Sequence, residues 1–342
     1  MELLLAVTPF REVISRFWLV AAISFGMALI ATPVCRKIAL RWSIVDRPDA
    51  FLKPHGRPIP YLGGVAVFAG WLGGIVAAIL SDQVVVRTDF MAGLALAGGA
   101  IMFVGLFDDL RVMSPPLKLF CNILVAAWVL YLGLGTELVQ VVTGFMKVTF
   151  APNERWLVLA YSVPVALVII VGACNAANLI DGMDGLCAGV LGIIALGYFI
   201  LAAHLFQHSP DTELSNERVV VALAIFGAAM GFLPFKLNPA KIFLGDAGSM
   251  LLGLNATILI LMFGSANLIR WMMGALMVFG LPCTDIALTL VRRWRNGKPL
   301  MTGDRSHFYD QLHDRGFSVR QVVAISYALT IFFVLLGISV IF

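Results

Sequence analysis

The sequence is poor in charge, with only 13% of its 342 residues Asp, Glu, Lys or Arg and 60% apolar. A soluble globular domain needs far less apolar sequence than this, so the composition excludes that class. The chain is instead expected to be a polytopic membrane protein. We expect bilayer lipid around it and no nucleic-acid partner.

Cysteine is also scarce, at five residues. None of them falls in a predicted external loop, so neither a disulfide nor a Cys-rich metal site is expected. Three nucleotide-binding and catalytic patterns are missing as well: the Walker phosphate loop, the dinucleotide glycine fingerprint and the serine nucleophile elbow.

Apolar runs long enough to cross a bilayer fill most of the chain. A helical crossing needs about 20 residues. By this measure the sequence predicts one all-α membrane domain over residues 1–342, with ten transmembrane helices at about 17–34, 61–80, 89–107, 117–136, 156–174, 186–206, 219–235, 249–264, 270–291 and 321–342.

Basic residues set the predicted orientation. One set of loops holds 17 of the 24 Lys and Arg residues, namely 35–58, 108–118, 175–185, 235–249 and 292–320. The positive-inside rule makes these loops cytoplasmic and places both termini outside. The longest external loop, 137–155, is rich in valine around Thr143-Gly144, which predicts a small β-hairpin.

The most informative polar stretch is Asn175–Gly185, between two apolar runs. Asn175, Asn178, Asp181 and Asp184 recur every third residue, so on a helix they would share one broad face. Such groups at the mouth of a span are costly unless they face water, a metal or a polar ligand. The alternative is a polar connecting loop in which Asp-Gly pairs only make turns.

Further carboxylates fall on the same predicted face. Asp108 and Asp109 end the third span, and Asp246 lies between Gly245 and Gly248 just before the eighth. Acidic residues at a helix C-terminus oppose the helix dipole, so a compensating cation is expected. Glycines at a helix start can also expose backbone N–H groups to phosphate.

Cationic and imidazole side chains accompany these carboxylates. Lys53 and His55 lie in the first cytoplasmic loop, and Lys118 begins the fourth span. The loop residues could equally bind an anionic substrate or anchor the chain to anionic lipids. In the ninth span, Asp285 is expected to pair with Arg292 and Arg293.

Together these residues indicate which kind of ligand and reaction the site is suited to. Five carboxylates, two lysines and a glycine-rich turn on one membrane face favour a hard oxygen-ligand site for Mg²⁺. Neighbouring lysines would hold phosphate charge. The sequence therefore indicates phosphoryl chemistry at the membrane surface, with a lipid as one substrate.

The motifs resemble those of the polyprenyl-phosphate N-acetylhexosamine-1-phosphate transferases. This superfamily includes the phospho-N-acetylmuramoyl-pentapeptide transferase and the bacterial GlcNAc-1-phosphate transferases. The resemblance covers nearly the whole chain, and the segments that carry it are Lys53–Gly64, Gly105–Asp109 with Lys118, Asn175–Leu186 and Phe243–Ser249.

The resemblance implies roles for individual residues. Mg²⁺, with Mn²⁺ as a substitute, would be bound through Asp246 with Asp108 or Asp109 close by. Asp108 would deprotonate or orient the lipid phosphate, although either aspartate could be the base. The remaining implied site residues are Asp181 and Asp184 as catalytic or sugar-positioning groups, Phe243 against uracil, and Lys53, His55, Lys118, Asn175, Asn178 and His307 as substrate ligands.

The last cytoplasmic loop departs from the superfamily. Its members commonly carry a His-x-His-His cluster, whereas this chain reads His307-Phe308-Tyr309-Asp310. Only the first histidine matches, so the roles of the other two do not transfer. Because that loop is implicated in sugar recognition, the donor sugar stays open.

The resemblance implies an enzyme of the bacterial inner membrane whose active site faces the cytoplasm. It would transfer N-acetylhexosamine 1-phosphate, foremost GlcNAc 1-phosphate, from a UDP-sugar to undecaprenyl phosphate and release UMP. The alternatives are a muramoyl-pentapeptide donor and, from other classes, an ion-coupled transporter or a silent scaffold. A homodimer is compatible with the class.

Overall fold

The computed structural model describes residues 9–46, 58–146, 150–208, 214–264, 269–297 and 307–341. Lys53 and His55 lie outside these ranges. The fold is helical, and a short 3₁₀ turn, Pro152–Glu154, precedes α6. The helices are α1 Phe10–Arg41, α2 Gly63–Ile79, α3 Thr88–Leu110, α4 Pro115–Tyr131, α5 Leu138–Phe145, α6 Arg155–Leu179, α7 Leu186–His208, α8 Ser215–Lys236, α9 Gly245–Phe263, α10 Ile269–Val278, α11 Gly280–Arg295, α12 Phe308–Asp314 and α13 Val319–Ser339.

Each predicted span coincides with one of these helices or with a bent pair of them. Among the described residues, seven helices are long and apolar enough to cross a membrane: α1, α3, α6, α7, α8, α9 and α13. The pair α10 and α11, bent by 69°, would make an eighth, and α2 and α4 are shorter apolar helices. The full set of ten crossings and the side of each terminus stay predictions.

Helix α9 is the centre of the bundle. It is buried along nearly its whole length, as expected for a helix that is apolar on every side. Its neighbours include α2, α3 and α6. Since Asp246 lies in the first turn of α9, this burial fixes one carboxylate of the predicted site.

The predicted external β-hairpin was wrong. Helix α5 covers Leu138–Phe145 instead, with Leu138 and Val141 buried. Leu138, Val141 and Val142 follow the i, i+3, i+4 spacing of one helix face, and this periodicity outweighs the β-propensity of the valines.

The small antiparallel sheet lies between α1 and α2, where β1 (Val45–Asp46) pairs with β2 (Ile59–Pro60). The end of β2 is bonded to the segment that precedes α9. The Phe243 N–H donates to the Pro60 carbonyl at 2.8 Å, and the Gly63 N–H donates to the Phe243 carbonyl at 3.0 Å. These bonds hold Phe243 beside the start of α9.

Glycine allows α3 and α9 to approach closely. A Cβ built on Gly105 would lie 2.5 Å from the Ala247 backbone nitrogen. This contact is backbone rather than a flexible side chain, so neither helix can yield locally. The close approach lets Asp108 and Asp109, one turn further along α3, reach the start of α9.

We expect Gly105→Ala to lower the thermal midpoint in detergent, because overpacking at a rigid contact costs about 1–3 kcal/mol. Gly99→Ala is the matched control on the same helix. Its Cβ would meet Phe68 no closer than 3.6 Å, and alanine favours the helix. Equal midpoints for the two variants would contradict the close approach.

Candidate active site

Lys118 joins two carboxylates from different helices. Its Nζ lies 2.8 Å from Asp108 Oδ2 and also hydrogen-bonds to Asp246 Oδ2. Asp108 Oδ1 accepts a further bond, of 2.6 Å, from the Met113 N–H. The cation expected beside the carboxylates of α3 is therefore Lys118, and it gathers the ends of α3, α4 and α9.

Asn178 completes this group from the last turn of α6. Its Nδ2 donates to Asp246 Oδ1 at 2.7 Å and lies 3.1 Å from Ser249 Oγ. Both oxygens of Asp246 are thus engaged, one by Lys118 and one by Asn178. We call Asp108, Lys118, Asn178 and Asp246 the lysine-centred cluster.

Asp109 has a different environment from its neighbour. It accepts from the backbone N–H groups of Asp246, at 2.9 Å, and of Ala247, at 3.2 Å. A carboxylate in this position satisfies unpaired N–H groups in the first turn of α9 and complements the helix dipole. Asp109 therefore positions Asp246, whereas Asp108 faces Lys118.

Of the four polar residues in Asn175–Gly185, only the two asparagines lie on a helix. Helix α6 ends at Leu179, so Asp181 and Asp184 lie in the turn 180–185 rather than on a continuous helix face. Asn175 Nδ2 donates to the Val171 carbonyl of its own helix at 2.7 Å. The four residues consequently divide among different partners.

Asp181 pairs with a lysine that sequence reasoning gave no role. Its Oδ1 lies 3.3 Å from Lys236 Nζ, and the Lys236 side chain is 3% exposed. The same ammonium lies 4.4 Å from the centroid of the Phe243 ring. A lysine at the end of an apolar helix commonly extends to the lipid headgroups, so its spacing alone did not single it out.

Phe243 and the hydrogen-bond partners of Asp184 lie in the same segment before α9. The Phe243 ring meets Tyr61 edge-on, with centroids 5.8 Å apart. Asp184 Oδ2 accepts from Asn238 Nδ2 at 3.1 Å and from the Ala240 N–H at 2.9 Å. The turn 180–185 is therefore bonded to the chain between α8 and α9.

His307 is buried rather than open to a ligand. Its Nδ1 lies 2.7 Å from Asp285 Oδ2, and both side chains are at most 5% exposed. Asp285 Oδ1 accepts from the Phe308 N–H at 3.0 Å. The expected pairing of Asp285 with arginines of α11 is thus replaced by a pairing with His307, which the sequence could not place because these residues lie 22 apart.

Metal-binding capacity rests on few groups. Over the described ranges no set of three or more His, Cys, Asp or Glu side chains could hold an ion. Asp108 and Asp246 nevertheless direct side-chain oxygens at one shared ammonium, so the two carboxylates lie close enough to bind a common cation. Mg²⁺ commonly binds one or two carboxylates and completes its shell with water and substrate phosphates, so this pair fits it.

Burial raises the pKa of Asp181 from the usual 3.8 to about 6, although Lys236 opposes the shift. Because the folded protein favours the protonated form, stability is lost as the pH rises from about 4 to about 6. Asp181→Asn removes this titration. We expect the melting temperature of the wild type minus that of Asp181→Asn to fall between about pH 4 and pH 6 and then to level off. A difference that stays constant or rises over this range would contradict the raised pKa of Asp181.

Comparison with known proteins places the chain. The model of glycosyl transferase family 4 matches residues 91–264. A Bacillus subtilis protein named "probable undecaprenyl-phosphate N-acetylglucosaminyl 1-phosphate transferase" is 31% identical over 316 residues, covering 91% of this chain and 81% of that protein. A decaprenyl-phosphate N-acetylglucosaminephosphotransferase of Mycobacterium tuberculosis is 30% identical, covering 93% and 80%.

A phospho-N-acetylmuramoyl-pentapeptide-transferase of Orientia tsutsugamushi is 28% identical, covering 96% of this chain and 94% of that protein. These matches extend over nearly the whole chain and confirm the resemblance carried by its motifs. The chain belongs to glycosyl transferase family 4.

Proposed function

We propose that this protein transfers N-acetylglucosamine 1-phosphate from UDP-N-acetylglucosamine to undecaprenyl phosphate at the cytoplasmic face of the bacterial inner membrane. An oxygen of the lipid phosphate attacks the β-phosphorus of the nucleotide sugar. The bond from that phosphorus to the bridging oxygen breaks, UMP leaves with the oxygen, and the sugar phosphate becomes a lipid diphosphate. The lipid product would begin a cell-envelope glycan.

The lysine-centred cluster carries the proposal. Asp108, Lys118, Asn178 and Asp246 meet at the ends of four helices. Three of these helices, α3, α6 and α9, are long and apolar enough to cross a membrane, and α4 is a shorter apolar helix. A site at helix ends can meet a lipid phosphate and a water-soluble nucleotide together. An ion-coupled transporter would instead place such groups near the bilayer midplane. Two relatives named above as polyprenyl-phosphate transferases support the same acceptor class.

Lys118 supplies the positive charge that phosphoryl transfer requires. Its side chain is 17% exposed, so the ammonium acts where water screens it less than in bulk solvent. Asp108 lies 2.8 Å away and would orient the acceptor phosphate or take its remaining proton. Excluding water matters equally, because water competing for the β-phosphorus would hydrolyse the donor.

The nucleotide would bind on the side of Asp181 and Phe243. The Phe243 ring is partly exposed beside Tyr61, a surface suited to uracil. Lys236 lies between this ring and Asp181, and Asp184 fixes the chain at Ala240. These contacts shape the donor side without adding a nucleophile.

Asp108 and Asp246 are the residues that would hold Mg²⁺. When bound, the ion would offset charge on the phosphate oxygens during transfer. Asn178 keeps Asp246 oriented through its 2.7 Å bond, and Asp109 fixes the backbone beneath it.

We expect Asp108→Asn and Asp246→Asn each to lower transfer by at least about 100-fold, since either change removes a charge at the reacting phosphates. The measurement is UMP release and radiolabel entering the lipid phase, in detergent with undecaprenyl phosphate and Mg²⁺. Asp89→Asn is the matched control: it lies in the first turn of the same helix as Asp108, with its side chain 80% exposed.

The donor is decided in the same assay. Label from UDP-N-acetylglucosamine in the lipid supports the proposal. Turnover only with another UDP-N-acetyl sugar, or with the muramoyl-pentapeptide donor, would keep the reaction class and replace the sugar. Full turnover by either aspartate variant would overturn the assigned roles.

We further expect transfer to stop after dialysis against EDTA and to return with Mg²⁺, and to a smaller extent with Mn²⁺, because both accept carboxylate and phosphate oxygens. Ca²⁺ is the control, as it favours longer bonds and more ligands. Undiminished transfer in EDTA would show that the lysine-centred cluster works without a divalent ion.

A further inference from the structure

The turn 180–185, which we call the acidic turn, is held at both ends by tyrosine hydroxyls. Tyr309 Oη donates to the Leu179 carbonyl at 2.7 Å, and Tyr327 Oη donates to the Gly185 carbonyl at 2.7 Å. Leu179 ends α6, where backbone carbonyls lack helical partners. The two tyrosines come from α12 and α13, so the C-terminal segment reaches back to the candidate site.

Each tyrosine ring fits against a glycine. A Cβ on Gly182 would lie 2.7 Å from the Tyr309 ring, and one on Gly189 would collide with Tyr327. Tyr309 is 5% exposed. The absence of glycine side chains lets the rings approach the backbone, which brings their hydroxyls into hydrogen-bonding range.

The buried pair of Asp285 and His307 holds Tyr309 in turn. The His307 and Tyr309 rings are nearly parallel, at 5°, with centroids 5.4 Å apart. Asp285 binds the imidazole Nδ1 with one oxygen and the Phe308 N–H with the other, so it orients the ring and fixes the start of α12. A buried carboxylate with two donors is well satisfied and rigid.

The acidic turn transmits this support to the donor side. Asp181 binds Lys236, and Asp184 binds Asn238 and Ala240. Asn178 stands immediately before Leu179, whose carbonyl Tyr309 holds, and binds Asp246. A shift of the turn would therefore move groups on both the nucleotide side and the lysine-centred cluster.

We propose that Tyr309 and Tyr327 are positioning residues that fix the acidic turn, and that His307 acts through Asp285 and Tyr309 instead of contacting the substrate. The expected effect on transfer rests on the proposed function. The anchoring of the acidic turn rests only on the hydrogen bonds and ring contacts described above.

The first test compares Tyr309→Phe and Tyr327→Phe, which remove one hydroxyl each and keep the ring. We expect faster hydrogen–deuterium exchange in peptides covering residues 180–186 and a fall in kcat of about fivefold for each, the loss typical of one hydrogen bond. The KM for the lipid acceptor should stay unchanged. Tyr161→Phe is the control, since this α6 side chain is 59% exposed.

The second test separates the two nitrogens of His307. The amide nitrogen of His307→Asn takes the place of Nδ1 and can still donate to Asp285, whereas that of His307→Gln takes the place of Nε2. We expect the Asn variant to keep activity within about twofold of wild type and the Gln variant to lose about tenfold or more, as when a buried partner is left unpaired. The reverse order would overturn the proposal and make His307 a substrate ligand.

Exchange is measured without substrate, so it is independent of the reaction. Suppose that the wild type transfers no sugar phosphate, but exchange is still faster in the tyrosine variants than in the wild type. That result would overturn the proposed function and leave the anchoring of the acidic turn intact. If the wild type is active, two results would overturn the positioning role. One is unchanged exchange in the tyrosine variants; the other is faster exchange with an unchanged kcat.

Discussion

The shared contact of Lys118 with Asp108 and Asp246 is the interaction on which the site depends. Each carboxylate by itself would be an uncompensated charge near the apolar bundle, and removing one partner of such a group leaves the others unpaired. One ammonium offsets part of the charge of both carboxylates, and in doing so it joins α3, α4 and α9. The same contact therefore reduces the charge repulsion and holds three helices together.

Around this contact, close backbone approaches and backbone hydrogen bonds fix the positions of the site residues. Gly105 brings α3 against the start of α9, and the strand ending at Pro60 fixes Phe243 just before that start. The acidic turn is bonded to the chain between α8 and α9 on one side and to α12 and α13 on the other. The residues of the candidate site therefore lie on elements that are each fixed by at least one other helix or strand, which keeps the geometry of the site constant.

Sequence reasoning was reliable where the physical signal is local or compositional. Apolar length located the helices, and the spacing of polar groups singled out Asn178 and Asp246, which are in contact. It failed at Val139–Thr143, where β-branched residues concealed a helical period. It also missed Lys236, Tyr309 and Tyr327, because their partners lie more than 50 residues away along the chain and only the fold brings them together.

Two adjacent aspartates illustrate how far chemistry can differ between neighbours. Asp108 faces an ammonium, whereas Asp109 accepts from two backbone N–H groups at the start of α9. Replacing Asp109 with asparagine would substitute a donor for one of its two acceptors. Loss of activity in an Asp109 variant would therefore also report on the integrity of a helix terminus, and mutagenesis of such a pair identifies a base only when folding is measured together with turnover.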